Sequence, residues 1–122
     1  MKRETFDVTL ITSDHAHSLA SIDSAAGDRL QLLVFSATWC GPCKAMAPAI
    51  DDIAQSYAND LVVAKIDIEA SADLAQAFEV RGVPTLITRR GDTVIDRHVG
   101  SLTRTRLAMM IDDALEQDGA SR

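Results

Sequence analysis

The apolar run Leu32-Leu33-Val34-Phe35 constrains this chain most, because no polar residue alternates through it. A strand with one wet face alternates apolar with polar residues. The unbroken stretch at 31–36, after Gln31, therefore reads as a central strand covered on both faces, which requires helices above and below one sheet. Immediately beyond it lies Trp39-Cys40-Gly41-Pro42-Cys43-Lys44, which holds both cysteines of the chain. A buried strand that runs into a helix opening with Cys-x-x-Cys is a device for thiol–disulfide exchange.

The remaining elements follow from periodicity. Residues 5–11 alternate well enough for a half-buried strand, and Ser13-Asp14 offers a cap to a short helix with Leu19, Ile22 and Ala26 on one face, ended by Gly27-Asp28. From Pro42 to Tyr57, the residues Met46, Ile50, Ile53 and Tyr57 recur at helical spacing. Pro48 should bend that helix, since it has no N–H for the carbonyl of Lys44. Leu61 to Ile68 reads as the next strand, and Ser71 as the cap of a helix carrying Leu74, Ala77 and Phe78. Pro84 to Thr88 and Val94 to Val99 flank the hairpin turn Arg90-Gly91-Asp92. Thr103 caps a last helix with Leu107, Met110, Ile111, Ala114 and Leu115 on its apolar face, ending near Gly119. The order β-α-β-α-β-α-β-β-α predicts an α/β fold: a central mixed sheet of parallel strands plus a C-terminal antiparallel hairpin, flanked by helices on both faces. One domain over 1–122 is expected, with its core at about 6–116 and a frayed tail at 118–122.

Composition narrows the function classes. A formal charge of −6 with dispersed basic residues argues against nucleic acid and favours a soluble monomer. No stretch approaches the ~20 apolar residues of a membrane helix. The basic amino terminus leads into no apolar signal region, so a cytoplasmic setting is expected. Zinc would need two more ligands beside the Cys-x-x-Cys, and His15, His17 and His98 stand at no matching spacing. His15 and His17 are expected to be solvated in the first turn of a surface helix, and His98 to face solvent.

The spacing of the cysteines suits their chemistry. Three positions make almost one helical turn, so both sulfurs fit the first turn and can close a small disulfide ring. Cys40, just ahead of the helix, meets unpaired backbone N–H groups and the positive end of the dipole, which favours a thiolate. Cys43, one turn inside, is expected to be the less exposed of the two. Gly41 removes bulk where a substrate chain would approach, and Pro42 costs no hydrogen bond at a helix start.

These residues, with Val80-Arg81-Gly82-Val83-Pro84-Thr85 and Gly100 after the hairpin, resemble the thioredoxin family from about Phe6 to Leu115. The resemblance implies a protein-disulfide reductase. Cys40 would be the nucleophile that forms a mixed disulfide with substrate, and Cys43 the thiol that resolves it. Pro84 would be a cis-proline facing the pair, and with Val83 would offer backbone hydrogen bonds to an extended substrate. Trp39, Gly41, Pro42, Val83, Gly100 and Ser101 would line a shallow apolar groove. No cofactor would be bound; electrons would come from NADPH through a flavoprotein thioredoxin reductase, and pass to proteins with disulfides.

The chain also departs from that family. A buried aspartate usually stands six residues before the first cysteine, and here the position is Val34; two positions on, the usual Trp is Ser36. Lys65 survives without that carboxylate. Asp67, on the same face of the same strand, is its expected partner, and water or the Lys65/Asp67 couple would have to deprotonate Cys43. The departures leave open a second reading, a thioredoxin-fold binding or chaperone-like module with secondary redox activity.

Overall fold

The two-sided apolar stretch becomes Leu30–Ser36, the middle strand of a five-stranded sheet. The computed structural model describes residues 10–12 and 18–120. In chain order these form β1 (Leu10–Thr12), α1 (Leu19–Ala26), β2 (Leu30–Ser36), α2 (Gly41–Ser56), β3 (Leu61–Asp67), α3 (Ala72–Ala77), β4 (Thr85–Arg90), β5 (Thr93–Val99) and α4 (Arg104–Ala120). The sheet order is β1-β3-β2-β4-β5. β3 runs parallel to both β1 and β2, whereas β4 is antiparallel to β2 and to β5. Residues 5–9 of the expected first strand, the Ser13-Asp14 cap, His15 and His17 lie outside the described residues.

Alternation along β2 splits the core in two. Leu30, Leu32 and Val34 join Met46, Ile50 and Ile53 of α2 and Leu107 and Ile111 of α4 on one face. Leu33 and Phe35 join Ile22 of α1, Leu74 of α3, Ile66 and Ile87 on the other. Each fully buried Leu, Ile or Phe contributes about 1.5–3 kcal/mol, so this strand ties both helical layers to the sheet. Because β2 and β3 are parallel and in register from Leu30↔Leu61 to Ser36↔Asp67, both strands deliver their C-terminal ends to the same edge as the first turn of α2.

Several local expectations change. Ser18, with its hydroxyl accepting from the Ser21 N–H at 3.2 Å, caps α1. Ser71 occupies the cap position of α3 but its hydroxyl is buried without a hydrogen-bond partner among the described residues. In that short helix Ala75, not Ala77, turns inward with Leu74. Thr103 does cap α4, accepting from the Arg106 N–H at 3.2 Å. α4 then runs through 118–120, assigned to a tail by the sequence reading, since Gly119 weakens a helix by only about 1 kcal/mol without stopping it.

One polar cluster is built into the second face. Arg89, 4% exposed, pairs across the β2–β4 ladder with Gln31 and reaches Asp23 of α1 at 2.6 Å. Its Nη1 also donates to the Gln31 side chain at 2.8 Å, and the guanidinium lies 5.9 Å from the centre of the Phe78 ring. Of the adjacent Arg89 and Arg90, the first is thus inside the fold.

Candidate active site

The turn from β2 into α2 sets the geometry of the two cysteines. Cys40 has extended backbone angles and is the N-cap of α2; its Sγ accepts a hydrogen bond from the Cys43 N–H at 3.2 Å. Pro42 falls in the first turn, where a missing N–H leaves nothing unpaired. Cys40 and Cys43 are joined by a disulfide, with Cα atoms 5.3 Å apart. Pro48 lies inside α2 as expected.

Exposure of the pair reverses the sequence expectation. In the bridged form Cys40 is 4% exposed, whereas Cys43 is partly exposed. Cys43 forms part of the wall of a cavity of about 220 Å³, together with Val34, Ser36, Ala47, Lys65, Asp67 and Pro84 among others. Cys40 is not in that wall. The cavity explains the difference: small side chains at the end of β2 leave Cys43 uncovered on the side facing β3.

The Lys65 partner also differs. Its Nζ donates to Oδ1 of Asp51, on α2, at 3.0 Å. Asp67 is directed to the chain after β3, accepting from the backbone N–H groups of Glu69 at 2.7 Å and Ala70 at 3.1 Å. Lys65 and Asp67 do share a face and a cavity, but the turn N–H groups hold the carboxylate and α2 supplies the ion-pair partner.

At the Pro84 part of the same cavity wall, the Val83–Pro84 peptide bond is cis. The Gly100 N–H donates to the Pro84 carbonyl at 2.9 Å, and Gly100 has φ 109°, a conformation in which a side chain would be strained. The Thr85 hydroxyl donates to the Gly82 carbonyl at 2.6 Å, fixing the approach to Pro84. Trp39 is 65% exposed, with Nε1 3.4 Å from Oε2 of Glu69, so it is no core residue. Gly41, Pro42 and Ser101 are exposed and Val83 is partly so. The sequence reading missed Val99, 59% exposed and packed close to Gly82, where a Cβ would stand 3.7 Å from its Cγ1. Its place directly before Gly100 was the available signal.

Among the described residues no helix is long and apolar enough to cross a membrane. Residues 8–113 match the family model described as Thioredoxin. A thioredoxin of Staphylococcus aureus is 35% identical over 96 residues, covering 79% of this chain and 92% of the relative. The bifunctional thioredoxin reductase/thioredoxin of Mycobacterium leprae is 36% identical over 93 residues, covering 76% of this chain and 20% of that longer protein. A mutant thioredoxin from Halobacterium salinarum superposes with a TM-score of 0.80 at 27% identity, over 92% of this chain and 96% of the other. A cysteine pair bridged at the N-terminus of α2 in this fold is the reacting group of a thiol–disulfide oxidoreductase, and the chain belongs to the thioredoxin family of protein-disulfide reductases.

Proposed function

We propose that Cys40 is the attacking thiolate and Cys43 the resolving thiol of a carrier that takes electrons from an NADPH-dependent flavoprotein reductase and delivers them to protein disulfides in the cytoplasm. The observation that carries the assignment is the Cys43 N–H directed at the Cys40 sulfur on a helix N-cap. That donor and the helix dipole stabilise negative charge on Cys40. Cys40 forms the mixed disulfide; Cys43 then attacks Cys40, releases the reduced substrate and restores the bridge.

Substrate would lie along the cis-proline side. Among the described residues the backbone of Val83 takes part in no hydrogen bond, so it is open to an extended peptide, while Trp39, Gly41, Pro42, Gly100 and Ser101 offer a shallow contact surface around the buried Pro84. A reductase partner is supported by the Mycobacterium leprae relative, whose name couples the two activities in one protein. A monomer suits a carrier that must present one face to several partners in turn.

The test is NADPH consumption with a thioredoxin reductase and insulin as acceptor. Wild type should turn over, and Cys43→Ser should stop and accumulate substrate bound at Cys40. Turnover that survives loss of both cysteines would defeat the assignment. A binding module would hold insulin chains without reducing them.

A further inference from the structure

Helix α3 ends in a turn that its own sequence disfavours. Glu79 has φ 56°, the left-handed region that glycine enters without strain, and among the described residues no other non-glycine does so. The Val80 N–H donates to the Ala75 carbonyl at 2.8 Å and the Glu79 N–H to that of Gln76 at 3.0 Å, the paired bonds of a Schellman ending. The carbonyls of Phe78 and Glu79 lie beyond any helical donor. One side chain takes both. The Arg97 guanidinium, on β5, donates through Nη2 to Phe78 and, at a longer 3.5 Å, through Nη1 to Glu79.

A bulge aims Arg97 at this turn. Arg89 pairs with Val94 but Thr88 with Asp96, so Ile95 is an extra residue in β5. Ile95 packs toward α2 and α4, whereas Arg97 stands opposite Ile87, on the face covered by α1 and α3. Regular alternation from Val94 would instead put Asp96 and His98 on that face. β5 then follows the segment from α3 to β4 along its length. Val99 lies beside Gly82, and the Gly100 N–H meets the Pro84 carbonyl at 2.9 Å. In between, neither Arg81 nor Val83 has a backbone hydrogen bond among the described residues. The place of this stretch is set by its two ends and by the Thr85 hydroxyl on the Gly82 carbonyl.

We propose that Arg97 is a positioning residue for the exchange reaction: by holding the strained end of α3 it fixes the Val83 backbone where an extended substrate has to pair. The inference rests on the substrate reading above and adds to it a residue that acts through the turn and not on the sulfurs. Both Arg97 and Glu79 are exposed, so solvent limits the strength of the latch and its effect falls on placement more than on folding.

The experiment measures insulin reduction, with NADPH and a thioredoxin reductase, by wild type, Arg97→Ala and the double variant Arg97→Ala/Glu79→Gly. In Arg97→Ala the KM for insulin should rise about fivefold, the scale of an exposed charge-assisted contact, with kcat unchanged. Alkylation of reduced Cys40 by iodoacetamide, which needs no strand pairing, should keep its wild-type rate. Glycine reaches φ 56° unstrained, so the double variant should return KM to within about twofold of wild type. An unchanged KM in Arg97→Ala overturns the proposal. A raised KM that Glu79→Gly leaves raised also overturns it, since the lost charge would then be one that the substrate meets directly. Amide exchange at Val80 reads the latch without any substrate: it should quicken in Arg97→Ala and slow again in the double variant, and equal rates in wild type and Arg97→Ala overturn the proposal. Wild type that fails to reduce insulin would defeat the substrate reading itself, and this inference with it.

Discussion

The Nζ of Lys65 on β3 meets Oδ1 of Asp51 on α2 at 3.0 Å, beside the cavity that holds Cys43 and Val34. This pair joins sheet to helix where the family would have an aspartate in place of Val34. The Lys65 ammonium is thereby directed to α2, and the Asp67 carboxylate to the turn after β3. With both side chains held elsewhere, the expected acceptor of the Cys43 proton is water. The second chemical step should therefore rise steadily with pH through the thiol range. Val34→Asp would put a carboxylate in the wall that Cys43 shares. A positioned base contributes roughly 10²–10⁴-fold, so even a poorly placed one should speed resolution of the mixed disulfide near neutral pH by about tenfold and flatten the profile. Stopped-flow reduction of a peptide disulfide reads this directly; identical profiles for the two proteins would refute it. The variant should also lose about 1–3 kcal/mol of stability, because Val34 is 5% exposed and the carboxylate would be desolvated.

The Cys40 thiolate gives a second prediction. In reduced Cys43→Ser protein the backbone N–H at 43 remains, so Cys40 should stay ionised well below the ordinary thiol range and alkylate rapidly at neutral pH. In Cys40→Ser the remaining Cys43 lacks an N-cap position and should behave as an ordinary or slower thiol. Iodoacetamide rates against pH for the two single-cysteine proteins check the contrast. Equal rates would remove the basis for distinguishing attacker from resolver.

The Arg89 cluster should govern stability and leave redox chemistry alone. It joins α1 to the beginning of β2, whereas the cysteines follow its end. Arg89 is buried but the Asp23 side chain is 42% exposed, so solvent screens the ion pair. Most of the cost of Arg89→Ala therefore comes from the buried Gln31 contact and lost packing, about 1–3 kcal/mol; Arg89→Met should cost less, since its stem still fills space beside Phe78. For Asp23 the Gln31 amide at 2.8 Å, ahead of the Arg89 hydrogen bond and charge, holds the carboxyl below its usual range against the opposing effect of burial. A depressed carboxyl contributes stability that is complete above the unfolded value near ~3.9 and fades as pH falls through the lower folded value. Urea unfolding of wild type and Asp23→Asn should thus differ at neutral pH and converge in acid. A difference that stays constant down to acid pH would show the carboxylate charge to be irrelevant.

Local chemistry was legible in the sequence wherever one segment contained the whole cause. Leu32 to Phe35 announced burial on both faces, and Cys40 to Cys43 announced the helix start and the bridge. What escaped depended on residues distant in sequence. Gln31 and Arg89, apparent strand ends, are opposite each other only after β4 folds back on β2. Asp51 finds Lys65 because a helix face and a strand face converge, which no alternation pattern reports. The exposure of Cys43 reflects space jointly left by Val34, Ser36 and Ala47, a volume rather than a motif. Ser71 shows the reverse failure: it has the right residue type in the right place, yet its hydroxyl makes no capping bond.

The contact between the helices on the other side of α2 can be read from the only tyrosine in the chain. Tyr57, at the end of α2, donates its hydroxyl to Oδ1 of Asp112 on α4 at 2.7 Å. Burial, then the Asp112 hydrogen bond and charge, raise its ionisation above the usual value near 10.0, with Arg104 opposing them. A raised acid group favours the folded state fully below its unfolded value, and that contribution is lost as pH climbs through the folded one. Absorbance of the phenolate should therefore titrate above 10 in the folded protein and return toward the usual value on unfolding. Asp112→Asn should lower the midpoint without abolishing the shift, since burial is its largest cause. An unchanged midpoint in that variant would mean the hydroxyl does not meet Asp112 in solution, and with it the α2–α4 contact at this end of the sheet would need redrawing.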